Sequence, residues 1–547
     1  MKRFPTTSQD KDYSHWLFFG IVLSYCWLYA PFGINETDGG FITAYAWRML
    51  DGEWPYRDFI YVRPPGSLWL RYLEMSLTPT WLALLSERLL FYGKMALASS
   101  LGAALLFQGP QRWWGATLAF VVSVHNYPAA AWHTVDGIVW SVAAVYLIAK
   151  AGRWWWLGAL CGFMAMFCKQ SFYPLLPVLV VLATWLQTWR RGLGVGLVIL
   201  LLWGLFFTGL YGNGLLADYL GWTSGASSLE EAFQRGILDY FRLHPLLWGA
   251  TLLLIPAFLG REWKGLAGIY CWYAFLLLLV LMYVWRIYQT QDFTVPVQES
   301  RLLFLIGLGY LFWQGIEFWR TGLPIREWDR EGQQWITLAA LLSISWMASI
   351  SWGYNFPILF SLPMIAVGMQ ITTFLNTSRT RKWGPLLGLL FLMLLLMSFR
   401  SAYQFVYRDG VRSQMSCRLS EVYPQLYGIR STPATCAKYK ELKQLYQKYG
   451  DCFSVLPAFP LAHYLNQGVN PLPLDWVIRP EYNGQKEVME GSLETMESCF
   501  IFVERAYGDE QLQSTKFEST WKVKTQWRMI EKGTHFEVYV LPDVLGE

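Results

Sequence analysis

Charged residues are scarce in this chain, and this scarcity excludes an ordinary soluble protein. Asp, Glu, Lys and Arg make up 15% of the 547 residues and hydrophobic residues 54%, whereas about 25% of a soluble domain is charged. Long stretches contain no charged residue, among them Gly192–Ala217, Gly265–Trp285 and, as the third, Gly332–Ser378. A spanning helix needs about 20 mostly apolar residues. The composition therefore predicts a membrane protein, with two spans in the third stretch.

Motifs of several common sites are also missing. The chain has no zinc-ligand spacing, no P-loop and no Rossmann fingerprint, and nothing in it predicts a nucleic-acid partner. Four of the eight cysteines lie in apolar segments, where packed thiols are expected. The other four can form disulfides in oxidising surroundings, for example Cys417 with Cys436 and Cys452 with Cys499, but three pairings fit the sequence.

The distribution of basic residues predicts the topology. Lys and Arg recur in every second short connection, as the positive-inside rule expects of cytoplasmic loops. This pattern predicts a cytoplasmic N-terminus. Trp16–Ile34 is predicted to be an uncleaved first span, so the stretch after it lies outside. We count about 13 spans, the last at Gly384–Phe399. An odd number of spans puts residues 400–547 on the outer side.

The last part of the chain has a different composition, with more charges and no long apolar run. Ala437–Tyr449 has helical spacing, and "CFSVLP" and "CFIFVE" are typical of short buried strands. The sequence therefore predicts a polytopic α-helical membrane protein with about 13 transmembrane helices in residues 1–399. A C-terminal extracytoplasmic α/β domain is predicted in residues 400–547.

The first outer loop, residues 35–87, is long and rich in ionisable groups. Apolar residues after Asp38 follow helical spacing, which predicts an amphipathic helix at the membrane surface. Asp38 then lies at the N-terminal end of that helix, either as a plain helix cap or as a functional carboxylate. Arg57 and Arg63 stand beside prolines and offer planar donor forks that suit a phosphate. The plain alternatives are an Arg57–Asp58 surface pair and contact of Arg63 with lipid headgroups.

Ionisable residues also stand at the outer ends of later spans. "HNYPAAAWHTVDG" contains His125, His133 and Asp136, and "CKQSFYP" contains Lys169. Because an ionisable group inside a membrane costs about 2.5–3.5 kcal/mol, it usually faces a cavity or a partner. Lys169 departs from the positive-inside bias, and its plain alternative is snorkelling to the outer headgroups. The histidines fit interfacial positions better than metal sites, since no carboxylate stands at ligand spacing.

These motifs together carry a family resemblance. In the order "ETDGGF", "AWRMLDGEWPYRDF", "RPPG", "WHTVDG" and "CKQS", residues 35–175 resemble the polytopic GT-C glycosyltransferases. The resemblance is to the bacterial relatives of protein O-mannosyltransferases and ArnT-like aminoarabinose transferases. It implies that Asp38 is the catalytic base, that Arg63 and Lys169 contact the lipid phosphate, and that Asp136 orients a basic group or the sugar. The family often has two adjacent acidic residues, whereas here Glu36 and Asp38 are separated by a threonine, so a contribution of Glu36 stays open.

The implied function is an inverting transfer of a sugar from a polyprenyl-phosphate donor to a lipid, glycan or protein acceptor. The reaction is expected at the outer face of a bacterial inner membrane, among membrane lipids. No cofactor is expected, although Glu36 and Asp38 could hold a divalent cation. Two alternatives stay open: a transporter or flippase of lipid-linked saccharides, and a polysaccharide polymerase or ligase.

Overall fold

The chain is mostly helical in the computed structural model, which describes residues 13–541 except 126–128, 151, 225–233, 255–265, 291–296, 321–329, 352–353, 376–399, 401–402, 469 and 497–498. The first ten helices are α1 Ser14–Leu28, α2 Gly40–Leu50, α3 Gly66–Ser76, α4 Ala83–Leu106, α5 Pro110–Val124, α6 His133–Lys150, α7 Trp155–Cys168, α8 Leu175–Leu186, α9 Trp189–Gly212 and α10 Leu216–Ser224. Further helices follow at Pro245–Thr251, Leu266–Thr290, Val297–Arg320, Arg330–Ser349 and Leu362–Leu375.

Several of these helices suit a membrane. Among the described residues, three segments have the length and apolar composition to cross one: Thr80–Leu106, Trp189–Gly212 and Glu299–Arg320. Shorter apolar helices include Ser14–Leu28 and Gln170–Leu186. The count of 13 spans stays a prediction, and the expected last span, Gly384–Phe399, lies outside the described residues.

The C-terminal region contains the α/β structure that the sequence predicts. A sheet has the strand order β7-β8-β10-β9 and is formed by β7 Phe453–Leu456, β8 Phe500–Glu504, β9 Arg528–Lys532 and β10 Phe536–Val540. Strands β7 and β8, in the two segments expected to be strands, pair in parallel, and the other pairings are antiparallel. The helices of this region are Pro433–Tyr449, Leu461–Asn466, Lys486–Glu494, Asp509–Leu512 and Glu518–Gln526. The predicted helix at Ala437–Tyr449 is therefore confirmed, with Thr432 as its N-cap.

Short strand pairs and two disulfides complete the described architecture. The pairs are β1 Ile350–Ser351 with β2 Tyr354–Asn355, β3 Phe405–Val406 with β4 Gly410–Val411, and β5 Cys417–Arg418 with β6 Arg430–Ser431. The disulfides join Cys417 to Cys436 and Cys452 to Cys499, with Cα atoms 6.5 and 4.8 Å apart. Of the three pairings that the sequence left open, the structure has this one.

The C-terminal region lies directly on the first outer loop. The Ile60 amide donates to the Pro473 carbonyl at 2.8 Å, and the Asp409 carboxylate accepts from the Ile34 amide at 2.8 Å. Asp409 also accepts from the hydroxyls of Ser431 and Thr435. Because a carboxylate that accepts from several donors is held firmly in place, these contacts fix the C-terminal region against the start of the loop.

The amphipathic helix predicted for the membrane surface is instead buried inside the protein. It forms as α2, but all of its eleven residues except Trp47 and Leu50 are buried. Its polar side faces the C-terminal region, where the Arg48 guanidinium donates to the Leu472 carbonyl at 2.9 Å and to Asp475 at 3.3 Å. The expectation of a surface position was wrong because helical spacing identifies a polar face and does not show what covers it.

The "RPPG" motif brings two distant segments into contact. Gly66 is the first residue of α3, and a Cβ atom at this position would lie 2.5 Å from the Phe167 carbonyl oxygen at the end of α7. Glycine, which has no Cβ atom, therefore permits the close approach of α3 and α7. The Gln170 side-chain Nε2 then donates to the Val62 carbonyl at 2.8 Å. As a result, the segment that carries Arg63 lies beside the segment that carries Lys169.

Replacement of this glycine tests the close approach. We expect Gly66→Ala to lower the free energy of unfolding by about 1–3 kcal/mol, because backbone atoms rather than a flexible side chain must move. Gly93→Ala is the matched control, since a Cβ at Gly93 in α4 meets no atom within 4 Å. Thermal unfolding of both variants in nanodiscs measures the difference. Equal unfolding temperatures would contradict the contact.

Candidate active site

Asp38 lies in a turn that Asn35 organises immediately before α2. The Asn35 side-chain oxygen accepts from the amides of Thr37 and Asp38 at 3.1 and 3.2 Å, which is a typical Asx turn. The Asp38 side chain makes no capping bond to α2. Its Oδ2 atom instead accepts from the Tyr407 hydroxyl at 2.9 Å and lies 3.2 Å from the Arg408 guanidinium. Asp38 is therefore held from outside the loop, and it is not a plain helix cap.

Tyr407 and Arg408 belong to the turn between β3 and β4, called here the 405–411 hairpin. Sequence reasoning missed both residues. The signal that could have found them is the Asp-Gly pair of "YRDG", which marks a tight turn, but a turn signal does not identify the residue that the turn contacts. Burial, followed by the negative charge of Asp38, raises the pKa of Tyr407 to about 12. Tyr407 consequently stays protonated and donates to Asp38.

Glu36 points to a different set of partners. Its carboxylate pairs with Lys438, and the same ammonium pairs with the buried Glu504. Burial alone would lower the pKa of Lys438, but the charges of Glu36 and Glu504 outweigh it and raise the pKa. The two acidic side chains of "ETD" therefore diverge, Glu36 to the helix Pro433–Tyr449 and Asp38 to the 405–411 hairpin.

No described group of residues forms a ready metal site. In the described ranges, no three His, Cys, Asp or Glu side chains converge in a way that could hold an ion. The carboxylates of Glu36 and Asp38 are each engaged by cations of the protein. This arrangement does not fit the two-carboxylate cation site that the sequence left open.

Arg63 is buried in a two-point ion pair. Its terminal nitrogens donate to the Glu481 carboxylate at 2.7 and 2.6 Å, and the guanidinium lies 4.9 Å from the centre of the Phe41 ring. The two guanidinium donors of Arg63, which the sequence predicts for a phosphate, thus bind Glu481. Arg57 is not brought to this site, because its side chain is 56% exposed and pairs with Asp58 at 2.7 Å.

Lys169 is buried in the connection after α7 without a carboxylate partner. Its ammonium donates to the Thr134 hydroxyl at 2.9 Å, and no acidic group of the described chain pairs with it. A snorkelling lysine would reach water, whereas Lys169 is 7% exposed. A buried ammonium with a single hydroxyl partner is costly unless an anion joins it.

Three side chains around Arg63 have a buried polar atom without a hydrogen bond among the described residues: His133, Tyr45 and Tyr61. These three residues, together with Lys169 and Arg63, are called here the Lys169 cluster. Within the described residues, His133 Nδ1 and the hydroxyls of both tyrosines are buried without a hydrogen bond. His133 is close enough to Arg63 and Lys169 for their charges to act on its ring, and the Tyr45 and Tyr61 rings lie 5.6 Å apart. Unpaired buried polar atoms call for a bound polar group or water.

Asp136 belongs to a separate network of buried charges. Its carboxylate lies 2.8 Å from the Lys94 ammonium, which lies 2.8 Å from Glu74. In the same network, the Arg71 guanidinium lies 2.6 Å from the Glu87 carboxylate. The network joins α3, α4 and α6, and Asp136 belongs to it through its ion pair with Lys94.

The two halves of the candidate site meet at the first turn of α2. Phe41, three residues after Asp38, lies under the Arg63 guanidinium and 6.0 Å from the His133 ring. Asp38 precedes Phe41 by three residues, about one helical turn. Of the residues predicted from sequence, Arg63 and Lys169 lie near His133, Asp38 lies one turn before the residue that Arg63 covers, and Arg57 is exposed beside Asp58.

Comparison with known proteins gives two structural likenesses. No family model matches the chain, and no curated protein matches it. The archaeal oligosaccharyltransferase AglB from Archaeoglobus fulgidus, in complex with an inhibitory peptide and a dolichol-phosphate, is 10% identical, with a TM-score of 0.45 over 91% of this chain and 70% of that chain. ArnT from Cupriavidus metallidurans, bound to undecaprenyl phosphate, is 13% identical, with a TM-score of 0.41 over 97% and 98%.

The second of these proteins, ArnT, carries the name of one of the transferase groups that the sequence motifs resemble.

The Arg63–Glu481 pair allows a direct test of the fold around the cluster. We expect Glu481→Gln to cost about 3–5 kcal/mol of stability, because it leaves a buried guanidinium without its counter-charge. Asp58→Asn removes the carboxylate of an exposed pair and should leave the unfolding temperature unchanged. Thermal unfolding of the full chain in nanodiscs compares the two. A Glu481→Gln protein as stable as Asp58→Asn would contradict the buried pair.

Proposed function

We propose that this chain is an inverting glycosyltransferase that moves a sugar from a polyprenyl-phosphate donor to an acceptor at the outer face of a bacterial inner membrane. The observation that carries the proposal is Lys169, a buried ammonium with a hydroxyl in place of a carboxylate partner. A phosphate supplies the missing charge, and the apolar helices around it suit a polyprenyl tail. The unpaired donors of Tyr45, Tyr61 and His133 suit sugar or phosphate oxygens.

The chemistry needs few protein groups. A sugar on a polyprenyl phosphate has a good leaving group, so one base for the acceptor and cations for the departing phosphate suffice. In this proposal Asp38 takes the proton of the acceptor as the acceptor atom bonds to the anomeric carbon. The bond from that carbon to the phosphate oxygen breaks, and the electron pair leaves on the phosphate beside Lys169. Displacement from the opposite face inverts the anomeric centre.

Each charged residue then has a defined part. Arg63, already paired with Glu481, adds positive potential next to Lys169 rather than a free donor fork. Asp136 holds Lys94 and keeps α4 and α6 in place beneath the site. Glu36 connects the loop to the C-terminal region through its ion pair with Lys438. Asp38 is left as the single carboxylate of the reaction, whereas a glycoside hydrolase would need two flanking the sugar.

The central test is transfer of radiolabelled sugars from a panel of undecaprenyl-phosphate donors to membrane acceptors. We expect the wild type to use at least one donor, and Asp38→Asn to transfer about 10²- to 10⁴-fold more slowly because the general base is lost. Asp58→Asn, which removes an exposed carboxylate of the same loop, should keep the wild-type rate. A folded Asp38→Asn protein with the wild-type rate would contradict the assignment. Movement of lipid-linked saccharide across vesicles without a new glycosidic bond would favour a transporter.

Binding of the lipid phosphate tests Lys169 separately. We expect Lys169→Met to bind radiolabelled undecaprenyl phosphate about 10- to 100-fold more weakly, which corresponds to one lost charge-assisted hydrogen bond. Methionine preserves the length of the side chain and removes its charge. Lys150→Met, at the exposed end of α6, is the control. Unchanged affinity in Lys169→Met would show that the phosphate does not bind this ammonium.

A further inference from the structure

The two oxygens of the Asp38 carboxylate have different surroundings. Oδ2 accepts from the Tyr407 hydroxyl at 2.9 Å and lies 3.2 Å from Nη1 of Arg408. Oδ1 makes no hydrogen bond to any described residue. A hydroxyl donor and a neighbouring positive charge on the same oxygen fix the rotation of the carboxyl group and leave the second oxygen for another partner.

The 405–411 hairpin is itself held firmly on the loop. Asp409 accepts from the Ile34 amide and from two hydroxyls of the C-terminal region. Arg408 has a left-handed backbone, with φ of 56°, and its Nη1 also donates to the Thr37 hydroxyl at 2.6 Å. An arginine in this conformation is uncommon and persists where its surroundings require it. The turn therefore presents two consecutive side chains to Asp38.

We propose that Tyr407 and Arg408 are positioning residues, which hold Asp38 by Oδ2 so that Oδ1 faces the acceptor. This inference rests on the proposed role of Asp38 as the base. The acceptor proton passes to Oδ1, while the Tyr407 hydroxyl and the Arg408 charge beside Oδ2 stabilise the carboxylate before transfer and keep its orientation. The C-terminal region thus completes a site whose reacting carboxylate belongs to the first outer loop.

The partial exposure of Arg408 fits a positioning role. Its side chain is 47% exposed, whereas that of Asp38 is 10% exposed. The Arg408 guanidinium lies beside Oδ2 with nearly half of its side chain exposed to solvent. Asp38 lies three residues before Phe41, whose ring the Arg63 guanidinium covers.

The first arm of the test does not depend on transfer activity. The full chain in nanodiscs of phosphatidylethanolamine and phosphatidylglycerol is treated with dicyclohexylcarbodiimide, and labelling of Asp38 is followed by peptide mass spectrometry. We expect labelling to be about tenfold faster in Tyr407→Phe and Arg408→Ala, because the carboxylate loses a donor that stabilises its charge. Arg408→Lys should restore part of the protection.

Matched controls come from the same region of the chain. Tyr446→Phe removes a hydroxyl that donates to Asp451 at 2.7 Å, and Lys448→Ala removes an ammonium that pairs with Glu531 at 2.6 Å. Both pairs involve partly or fully exposed side chains of the C-terminal region. Labelling of Asp38 should be at the wild-type rate in both.

The second arm uses the donor that the wild type accepts. We expect kcat to fall about 10- to 100-fold in Tyr407→Phe and Arg408→Ala while KM for the donor stays unchanged, because the base is misplaced and the phosphate site is not. In an Asp38→Asn background, Arg408→Ala should cause no further loss, since a positioning residue acts only through the carboxylate.

Each outcome decides a different point. Unchanged labelling in Tyr407→Phe and Arg408→Ala would overturn the inference, and so would a further loss caused by Arg408→Ala in the Asp38→Asn background. If the wild type transfers no sugar from any donor, the proposed function fails. The labelling arm then still decides whether the hairpin holds Asp38.

Discussion

The burial of charged side chains between the apolar helices and the C-terminal region is the constraint on which the rest of this structure depends. An unpaired buried ion costs several kcal/mol, and the first outer loop meets this cost with partners more than 400 residues away: Arg48 with Asp475, Arg63 with Glu481 and Glu36 with Lys438. These ion pairs therefore also connect the first outer loop to the C-terminal region. Lys169, with a hydroxyl in place of a carboxylate, departs from this pattern and marks the candidate site.

The same constraint separates the functions of neighbouring residues. Glu36 and Asp38 are two positions apart, but one is engaged by a buried ammonium and the other by a hydroxyl and a half-exposed guanidinium. Glu36 consequently helps to connect the first outer loop to the C-terminal region, and Asp38 keeps one oxygen without a partner in the described chain. A site composed in this way depends on both parts of the chain, because neither the loop nor the hairpin holds the carboxylate alone.

Local patterns in the sequence predicted a good part of this arrangement. Helical spacing predicted α2 and the helix that ends at Tyr449, and apolar runs predicted strands β7 and β8. Residue chemistry identified Asp38, Arg63 and Lys169 as candidates. The partners Tyr407, Arg408 and Glu481 were missed because they lie in the segment with the least informative motifs. The surface position expected of α2 was wrong for the same reason, since the segment that covers its polar face is remote in sequence.

The sequence by itself determined that this chain is apolar enough for a membrane, that several segments form helices and two form strands β7 and β8, and which ionisable residues stand near the ends of apolar segments. Periodicity and composition are local, and hydrophobic burial acts on them directly. Only the tertiary structure decided which charge meets which partner, that Cys417 pairs with Cys436, and which oxygen of Asp38 accepts from Tyr407. Those outcomes depend on contacts between residues hundreds of positions apart, whose energies arise once the chain has brought them together and excluded water.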